Sequence, residues 1–434
     1  MSAPIWQKQT SVSIDNEIMA FMAGDDIQLD SQIFLYDIQA SKAHVHGLNS
    51  IGILSDMEAE PLLNALDDLV DAYNNQEFHL TNQFEDGHSA IEYYLVEKFG
   101  DLGKKVHTGR SRNDQVLVAT RLLIKDSLKQ AENYLSSAVK TCLNKAGQTK
   151  NIAMPGYTHL QRAVPSSAGM WFAGFAEAML DNLMSIQSTI ALIDANPLGT
   201  AAGYGVNLPL DRQLTTKELE FARIQINPIY TQNSRGKFEL EALFALSQCM
   251  LDIRRFCWDL SLFTTQEFDF VSLPDNMTTG SSIMPNKRNP DLIELMRASY
   301  ATIQGAIVEL QSILSLPSGY QRDLQLTKPP LLKGLKVSLD TLKLFVRVAS
   351  DMRFNQDAML QAIDAPMYAT DLAVDLSKKG VPFRQAYQTV NDLREELAAR
   401  SPLDSISQRN SPGGCANLML EVLEKRYNAL VNNE

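Results

Sequence analysis

The sequence predicts an all-α protein built around a central bundle of long helices. Apolar residues recur at alternating intervals of three and four along five long segments, which is the period of helices that bury one face. No stretch shows convincing strand alternation. No Gly-x-Gly-x-x-Gly or phosphate-loop motif is present, so nucleotide hydrolysis and dinucleotide redox chemistry are not expected.

The chain has 434 residues and 45% apolar content, enough to bury a large core. Residues 1–110 mix short helical patterns with turn clusters and are interpreted as an N-terminal helical domain. Residues 111–355 carry the long periodic segments and form the central five-helix bundle domain. Residues 356–434 lose the long periodicity and contain turn-forming Gly and Pro, so we expect a small C-terminal helical domain.

The first long segment shows the helical period most clearly. Its apolar or small residues run from Leu117 to Cys142, and only Arg121 interrupts the series. The same alternation returns over 172–193, 243–260, 293–314 and 332–349, with Pro317 ending the fourth segment and Pro329-Pro330 opening the fifth. The pattern predicts five long helices packed along shared seams.

Charge and cysteine usage limit the possible partners and compartment. The net charge of -12 argues against nucleic acid or an anionic membrane as the main partner. The four cysteines are scattered without a paired spacing, which favours reduced thiols and no metal cage. The segment Met1–Asp15 lacks the pattern of a signal peptide, and no later segment is apolar enough to span a bilayer. A cytoplasmic protein without metal is expected.

The length of the first long helix leads to an expectation about the oligomeric state. A helix over residues 114–148 would be about 50 Å long at 1.5 Å per residue. If the five helices run up and down, the loops at 155–165 and 265–290 share one end, and those near 111–115 and 317–329 share the other. Because polar residues occur at both ends, an active site that uses both sets needs neighbouring subunits packed antiparallel. We therefore expect an oligomer with a shared helical core.

The segment Gly280–Pro290 is the strongest candidate for chemistry. It reads as a loop that leads into a helix, and its backbone N–H groups, the helix dipole and Lys287 would all favour a developing negative charge. A serine hydroxyl in that field would lose its proton more easily than a free serine. The alternative is an ordinary Gly/Ser/Pro connection with two solvated cations, and composition alone favours it.

Three further polar clusters are weak signals when each is taken alone. The string Thr108–Gln115 offers two guanidinium groups suited to carboxylates, although a helix cap with solvated arginines also explains it. His159, in a turn between helices, is by itself typical of a structural histidine. Ser41 and His44 share one face of a predicted helix, for which a solvated face is the alternative.

Taken together, the clusters resemble the fumarase/aspartase superfamily and, within it, the argininosuccinate lyase family. The signature Gly-Ser-Ser-x-Met-Pro-x-Lys-x-Asn-Pro matches at every fixed position from Gly280 to Pro290. The strings at 108–115, 155–161, 320–328 and 369–373 resemble the argininosuccinate branch. The resemblance extends from Asp37 to Gly414, nearly the whole chain.

The resemblance implies a cofactor-free, reversible elimination that splits argininosuccinate into arginine and fumarate. It also implies a homotetramer whose active sites each combine loops from three chains. Ser281 matches the general base, His159 the group on the acid side, and Glu294 its carboxylate partner. Lys287 and Asn289 would hold the carboxylates that become fumarate. The residues that match substrate contacts are Ser41, Ser111, Asn113, Thr158, Tyr320, Gln325 and Lys328.

Two other functions remain open from the sequence. Residues 284–290 also resemble adenylosuccinate lyase, although the 108–115 string looks less like a purine-nucleotide site. A non-catalytic role, like that of the lens crystallins on this scaffold, is the second alternative. The retained catalytic residues argue against it, because a purely structural bundle has no need of that combination; they are Ser281, His159, Glu294 and Lys287.

Overall fold

The computed structural model describes residues 17–18, 21, 24–81, 83–315 and 319–432. Helices dominate this part of the chain, which confirms the all-α prediction. The chain divides into two units: the first comprises 1–129, 188–244 and 304–336, and the second comprises 130–187, 245–303 and 337–434. The division into three domains stays a prediction. Met1–Asp15 and Pro317, which the sequence analysis used, lie outside the described residues.

Helix caps define where the N-terminal helices begin. The side chain of Asp86 accepts the Ser89 N–H at 2.8 Å, and the Ser55 N–H donates to Glu58 Oε2 at 3.0 Å, so each helix start is closed by a reciprocal cap. The helices bury one apolar cluster that includes Phe34. They are α1 (Asp26–Asp30), α2 (Phe34–Ser50), α3 (Asp56–Asn74) and α4 (Gly87–Phe99), followed by a 3-10 helix (Gly100–His107).

The five long helices predicted from periodicity are all present. The helices of the central region are α5 (Arg112–Thr149), α6 (Ala168–Ile193), α7 (Arg212–Glu218), α8 (Pro228–Asn233), α9 (Lys237–Phe263), α10 (Asp291–Ile313) and α11 (Lys328–Asp351). The longest, α5, contains 38 residues and is therefore about 57 Å long. Each of the five long helices contributes residues to both units.

The predicted seam of α5 is buried along its length. Every apolar seam residue from Leu117 to Cys142 is at most 2% exposed. Arg121, which interrupts the seam, is buried as well. Its guanidinium lies 4.0 Å from the centre of the Phe238 ring and donates to Ala195 O at 3.1 Å. Burial lowers the pKa of Arg121 to about 10, and these contacts compensate for its loss of water.

The expectation of no strands is wrong, because three strand pairs occur in the described residues. Strands β1 (Ala153–Thr158) and β2 (Gln161–Ser167) form an antiparallel hairpin. Prolines and a glycine interrupt the alternation that would have signalled these strands, and the register shifts between Pro155 and Tyr157. Four two-residue strands form two further pairs: β3 (Ala195–Asn196) with β4 (Arg223–Ile224), and β5 (Val271–Ser272) with β6 (Arg353–Phe354).

Short helices fill the C-terminal region. Asp371 joins two of them, because its carboxylate accepts from Arg409 at 2.6 Å and from the Ser405 hydroxyl. The helices are α12 (Gln356–Gln361), α13 (Ala369–Lys378), α14 (Phe383–Thr389), α15 (Arg394–Ala398), α16 (Pro402–Gln408) and α17 (Leu420–Asn432).

The described ranges contain neither a membrane-spanning helix nor a cluster of metal-binding side chains. No helix there has the length and apolar character needed to cross a bilayer. In the same ranges, no group of three or more His, Cys, Asp or Glu side chains could hold a metal ion. All four cysteines are free and buried. The absence of a cofactor stays a prediction.

Gly169 provides a test of the packing between α6 and the end of α5. A Cβ at this position would lie 2.5 Å from Lys150 Cα and 2.6 Å from Ala146 O, both backbone atoms that cannot rotate away. We expect Gly169→Ala to lower the free energy of unfolding by about 1–3 kcal/mol, measured as a lower thermal midpoint by circular dichroism. Gly174→Ala, in the same helix, is the control because no described atom lies within 4 Å of its Cβ. Equal midpoints for the two variants would contradict this packing.

Candidate active site

A cavity of about 320 Å³ in the first unit gathers most of the predicted substrate contacts. Five of the seven predicted contacts line it: Ser111, Asn113, Tyr320, Gln325 and Lys328. The cavity also carries many charged side chains, both acidic and basic. Its charged lining residues are Asp26, Asp30, Glu85, Asp86, Arg112, Arg235, Arg322 and Lys328.

Lys328, at the first turn of α11, is held by two carboxylates. Its Nζ lies 2.6 Å from Asp30 Oδ1 and 2.9 Å from Asp26 Oδ1. Burial by itself would lower the pKa of Lys328, but the two carboxylates outweigh burial and raise it. The ammonium is therefore charged and already paired, with one remaining donor direction for a ligand.

The string before α5 is held by a second set of ion pairs. Arg112 Nη1 lies 2.8 Å from Glu85 Oε2 and 3.1 Å from Asp86 Oδ2. Because Asp86 also caps α4, these contacts tie the start of α5 to the start of α4. The alternative of a solvated arginine is wrong for Arg112, which is half-buried and paired with two carboxylates.

Asp114 fixes the backbone around Ser111. Its Oδ1 accepts the Ser111 N–H at 2.8 Å, and its Oδ2 accepts the N–H groups of Gly199 and Ala201 at 3.0 Å each. Burial raises the pKa of this carboxyl, and the three N–H donors oppose that rise. A single buried side chain therefore holds the 108–115 string against the segment at 197–203.

Ser41 does not line the cavity. It is fully buried, and its hydroxyl accepts a hydrogen bond from Arg110 Nη1 at 3.1 Å. Its neighbour on the same helix, His44, is also buried, and its Nε2 lies 2.9 Å from Thr108 O. Burial, assisted by Arg110, lowers the pKa of His44 to about 3, so the ring is neutral and donates to that carbonyl. This helix face supports the 108–115 string from behind.

His159 lies in the second unit, at the tip of the β1–β2 hairpin. Thr158 pairs with Gln161, so His159 and Leu160 form a two-residue turn in which both residues have positive φ, 54° and 57°. Such turns favour Asn-Gly, and a His-Leu pair there is strained. Thr158, His159 and Leu160 are all exposed. The backbone therefore presents the imidazole outward, where it can act on a ligand.

The Gly280–Pro290 segment, also in the second unit, is closed at its base by a backbone bridge. Thr279 and Asn289 exchange N–H···O bonds of 3.0 and 2.8 Å. Ser281 Oγ accepts the N–H groups of Met284 at 3.2 Å and Ile283 at 3.3 Å. Backbone donors directed at this oxygen would stabilise an alkoxide, as a general base requires.

The two cations of this segment differ in whether they are paired with groups of the protein. Arg288 is bound to Asp275 Oδ1 and Leu273 O, each at 2.8 Å. Lys287 is exposed and forms no salt bridge within the described residues. Glu294, exposed on the first turn of α10, has no side-chain hydrogen bond to His159 among those residues. Lys287 is therefore available to a bound carboxylate.

The predicted residues thus form two sets. The cavity set belongs to the first unit, and Thr158, His159, Ser281, Lys287, Asn289 and Glu294 belong to the second. Sequence reasoning missed Asp26 and Arg235, which line the cavity. Neither residue belongs to a recognisable sequence motif, and only the structure shows that they line the cavity.

The chain is similar to known proteins over nearly its whole length. A family model described as lyase matches residues 10–305. The chain is 53% identical to an argininosuccinate lyase of Stenotrophomonas maltophilia (strain R551-3), with 99% of the chain and 100% of the relative covered. It is also 53% identical to an argininosuccinate lyase of Xylella fastidiosa (strain Temecula1), covering 98% and 96%.

Solved structures show the same fold at low identity. An EDDS lyase in complex with formate has a TM-score of 0.80 at 23% identity, covering 97% of this chain and 91% of its own. A class II fumarase from Schistosoma mansoni has a TM-score of 0.72 at 18% identity, covering 91% and 96%. The relatives do not favour the adenylosuccinate or the structural-protein alternative.

Asp114 yields a prediction for the cavity. Asp114→Asn keeps the size of the side chain but turns an amide NH₂ or a single oxygen toward three N–H donors, so at least one donor loses its acceptor. We expect a raised KM for the substrate and a loss of about 1–3 kcal/mol in stability, followed by steady-state kinetics and thermal unfolding. Asp126→Asn, at an exposed position of the same helix, is the control. A normal KM would show that the string keeps its shape without this carboxylate.

Proposed function

We infer the roles of individual residues from one premise: the chain belongs to the argininosuccinate lyase family and catalyses the reversible cleavage of argininosuccinate into arginine and fumarate. The reaction places it in arginine biosynthesis. The observation that carries the assignment of the base is the Ser281 hydroxyl, which accepts two backbone N–H groups inside a loop that matches the superfamily signature.

Ser281 begins the elimination by removing a proton. Its oxygen takes the proton from the carbon next to a carboxylate of the succinyl group, and the electron pair moves into that carboxylate. The resulting aci-carboxylate carries two negative charges, which need fixed positive groups nearby. Lys287, whose ammonium has no salt bridge within the described residues, and Asn289 serve this purpose.

The second step breaks the bond between carbon and the guanidino nitrogen. The electron pair of the C–H bond forms the double bond of fumarate as the nitrogen leaves with the C–N electron pair, and His159 supplies a proton to that nitrogen, so that arginine departs with its guanidinium group intact. Glu294 orients the imidazole and favours its protonated form. The remaining binding roles fall to Ser111, Asn113, Thr158, Tyr320, Gln325 and Lys328.

We propose that a homotetramer completes each site. Within one chain Ser281 is only half-buried and His159 is exposed, which supports this proposal, since elimination through a carbanion needs exclusion of water. The long helices also leave large apolar side chains exposed, namely Met184, Trp258, Leu295 and Val308. Exposed apolar surface of this kind is typical of interfaces. A shared helical core would cover it and bring residues of both units together from different chains.

We also propose a cytoplasmic location and no requirement for a metal or organic cofactor. The four free cysteines agree with a reducing compartment. The residues assigned above supply a base, an acid and cationic groups, so the elimination has all the proton carriers that it needs.

Removing the Ser281 hydroxyl tests the proposed reaction. We expect Ser281→Ala to lower kcat by at least about a thousandfold, because the base is lost while the fold stays intact. Fumarate is followed by ultraviolet absorbance, and helical circular dichroism checks the fold. Ser137→Ala, an exposed serine on α5, is the control and should turn over normally. A normal rate in Ser281→Ala would reject the assignment of the base.

Mixing inactive variants tests the shared site. Asn113→Ala disables the cavity of the first unit, and Ser281→Ala disables the loop of the second. If each site draws these residues from different chains, coexpressed mixtures should form some intact sites and recover measurable activity. Light scattering should give four times the chain mass of 48.3 kDa. A mixture of Asn113→Ala with Gln325→Ala, both in one cavity, should stay inactive; equal recovery in both mixtures would contradict the shared site.

A further inference from the structure

The hairpin that carries His159 lies over a second cleft, to which the elimination described above assigns no role. The cleft has a volume of about 750 Å³ and lies within the second unit. One wall is formed by the hairpin, at Tyr157 and at 160–162, and the other walls by residues of 267–270 and 358–367. The contacts between these walls show what supports the end of the hairpin.

The turn of the hairpin is the part that most needs support. His159 and Leu160 both have positive φ, a backbone conformation that such residues rarely adopt. Residues 158–160 are also exposed, so the turn is not enclosed by a core. A strained turn persists only where the surrounding structure holds it. Its anchors are therefore expected on the strands beside it.

The anchors are a cross-strand pair, Tyr157 on β1 and Arg162 on β2. This pair is next to the pair of Thr158 and Gln161, which closes the turn. Arg162 Nη1 donates to Asp364 Oδ2 at 3.0 Å. Hydrogen bonds to Asp364 and then to the Tyr157 hydroxyl raise the pKa of Arg162. The guanidinium thus links both strands to a carboxylate outside the hairpin.

An aromatic contact supports β1 from the same cleft. The centre of the Tyr157 ring lies 5.6 Å from that of Phe268 at an interplanar angle of 75°, the edge-to-face arrangement that aromatic pairs favour. Both residues are half-buried. The Phe268 ring in turn lies 5.1 Å from the ring of Phe270, which is 2% exposed. The end of the hairpin is therefore connected to the buried core.

Building on the proposed function, we propose that Tyr157 and Arg162 position His159 for proton transfer to the leaving nitrogen. Phe268 and Asp364 hold these two positioning residues in place. Proton transfer needs the donor within hydrogen-bond reach of its acceptor, and a displacement of about 1 Å can cost about a hundredfold in rate. The side chains of the ion pair are 49% and 44% exposed, so the pair contributes little to the stability of the whole fold. Its loss should lower the rate more than the thermal midpoint.

Arg162→Gln tests the ion pair. The turn should then sample more orientations, and kcat should fall about threefold to thirtyfold while KM changes less, because His159 acts only as the bond breaks. The thermal midpoint should stay within about 2 °C of the wild type. Arg394→Gln, at an exposed arginine of the same unit, is the control and should keep the wild-type kcat. A wild-type kcat in Arg162→Gln, or a loss matched by a large fall in midpoint, would overturn the positioning role.

Exchanging the two charges provides a rescue. Arg162→Asp and Asp364→Arg each place like charges across the contact, and each should lower kcat by about tenfold or more. The double variant restores an ion pair with its direction reversed and should recover most of that loss. A double variant whose kcat equals the product of the two single losses would show that the pairing itself does not matter.

Tyr157 is tested separately. Tyr157→Ala removes the ring contact with Phe268 and should lower kcat by at least about threefold. Tyr157→Phe is the matched control, because it keeps the ring and should retain more of the rate than Tyr157→Ala. An unchanged kcat in Tyr157→Ala would overturn the role of this residue.

A double-mutant cycle shows whether the effect passes through the acid. If Arg162 acts through His159, then Arg162→Gln should not lower the residual rate of His159→Asn any further. Single turnover with enzyme in excess over argininosuccinate measures that rate. A general disturbance of the site would instead lower the rate by the same factor in both backgrounds, and it would overturn the proposal.

The failure of this inference differs from a failure of the proposed function. If the wild type forms no fumarate from argininosuccinate, the function is rejected. If His159→Asn turns over normally, the assignment of the acid is rejected. If His159→Asn is impaired and Arg162→Gln is not, the function and the acid stand and the positioning role of Arg162 falls.

Discussion

The pairing of buried charge is the constraint on which the cavity of the first unit depends. Four carboxylates and four cations line a small volume, and each would be costly to bury alone. Lys328 is neutralised by Asp30 and partly by Asp26, and Arg112 is held by Glu85 and Asp86. These pairs fix helix starts that are far apart in sequence.

The groups proposed for proton transfer are not buried among paired charges, in contrast to those that line the cavity. Ser281 and His159 are carried by exposed segments whose backbone is specified in detail: two N–H groups meet the serine oxygen, and a strained turn presents the imidazole. Neither group needs burial within its own chain to hold its geometry. In the proposed tetramer, neighbouring subunits would exclude water and would cover the apolar side chains that a single chain leaves exposed on the long helices.

The sequence predicted what depends on local period and missed what depends on distant contacts. The seam from Leu117 to Cys142 could be predicted because helical spacing reports directly which face is buried. The hairpin could not, because prolines and Gly156 interrupt its alternation and the turn has neither Asn nor Gly. Asp26 could not be recognised in the sequence, because it is distinguished only by its ion pair with Lys328. Lys328 is far away in the chain; it also pairs with Asp30, from which it is separated by 298 positions. Ser41 shared the expected helix face with His44, but tertiary packing turned that face inward.

The separation of recognition from chemistry has a physical advantage for an elimination. The α-amino-acid end of the substrate does not change during the reaction, so its binding energy is the same in the ground state and the transition state unless it orients the reacting end. In the proposed mechanism, a cavity held by buried ion pairs would give that end a fixed position. The guanidino nitrogen would then be delivered to the acid, and the succinyl carbon to the base, without either catalytic group having to bind the substrate tightly. On this proposal, paired charges contributed by one chain support proton transfer by Ser281 and His159 of other chains.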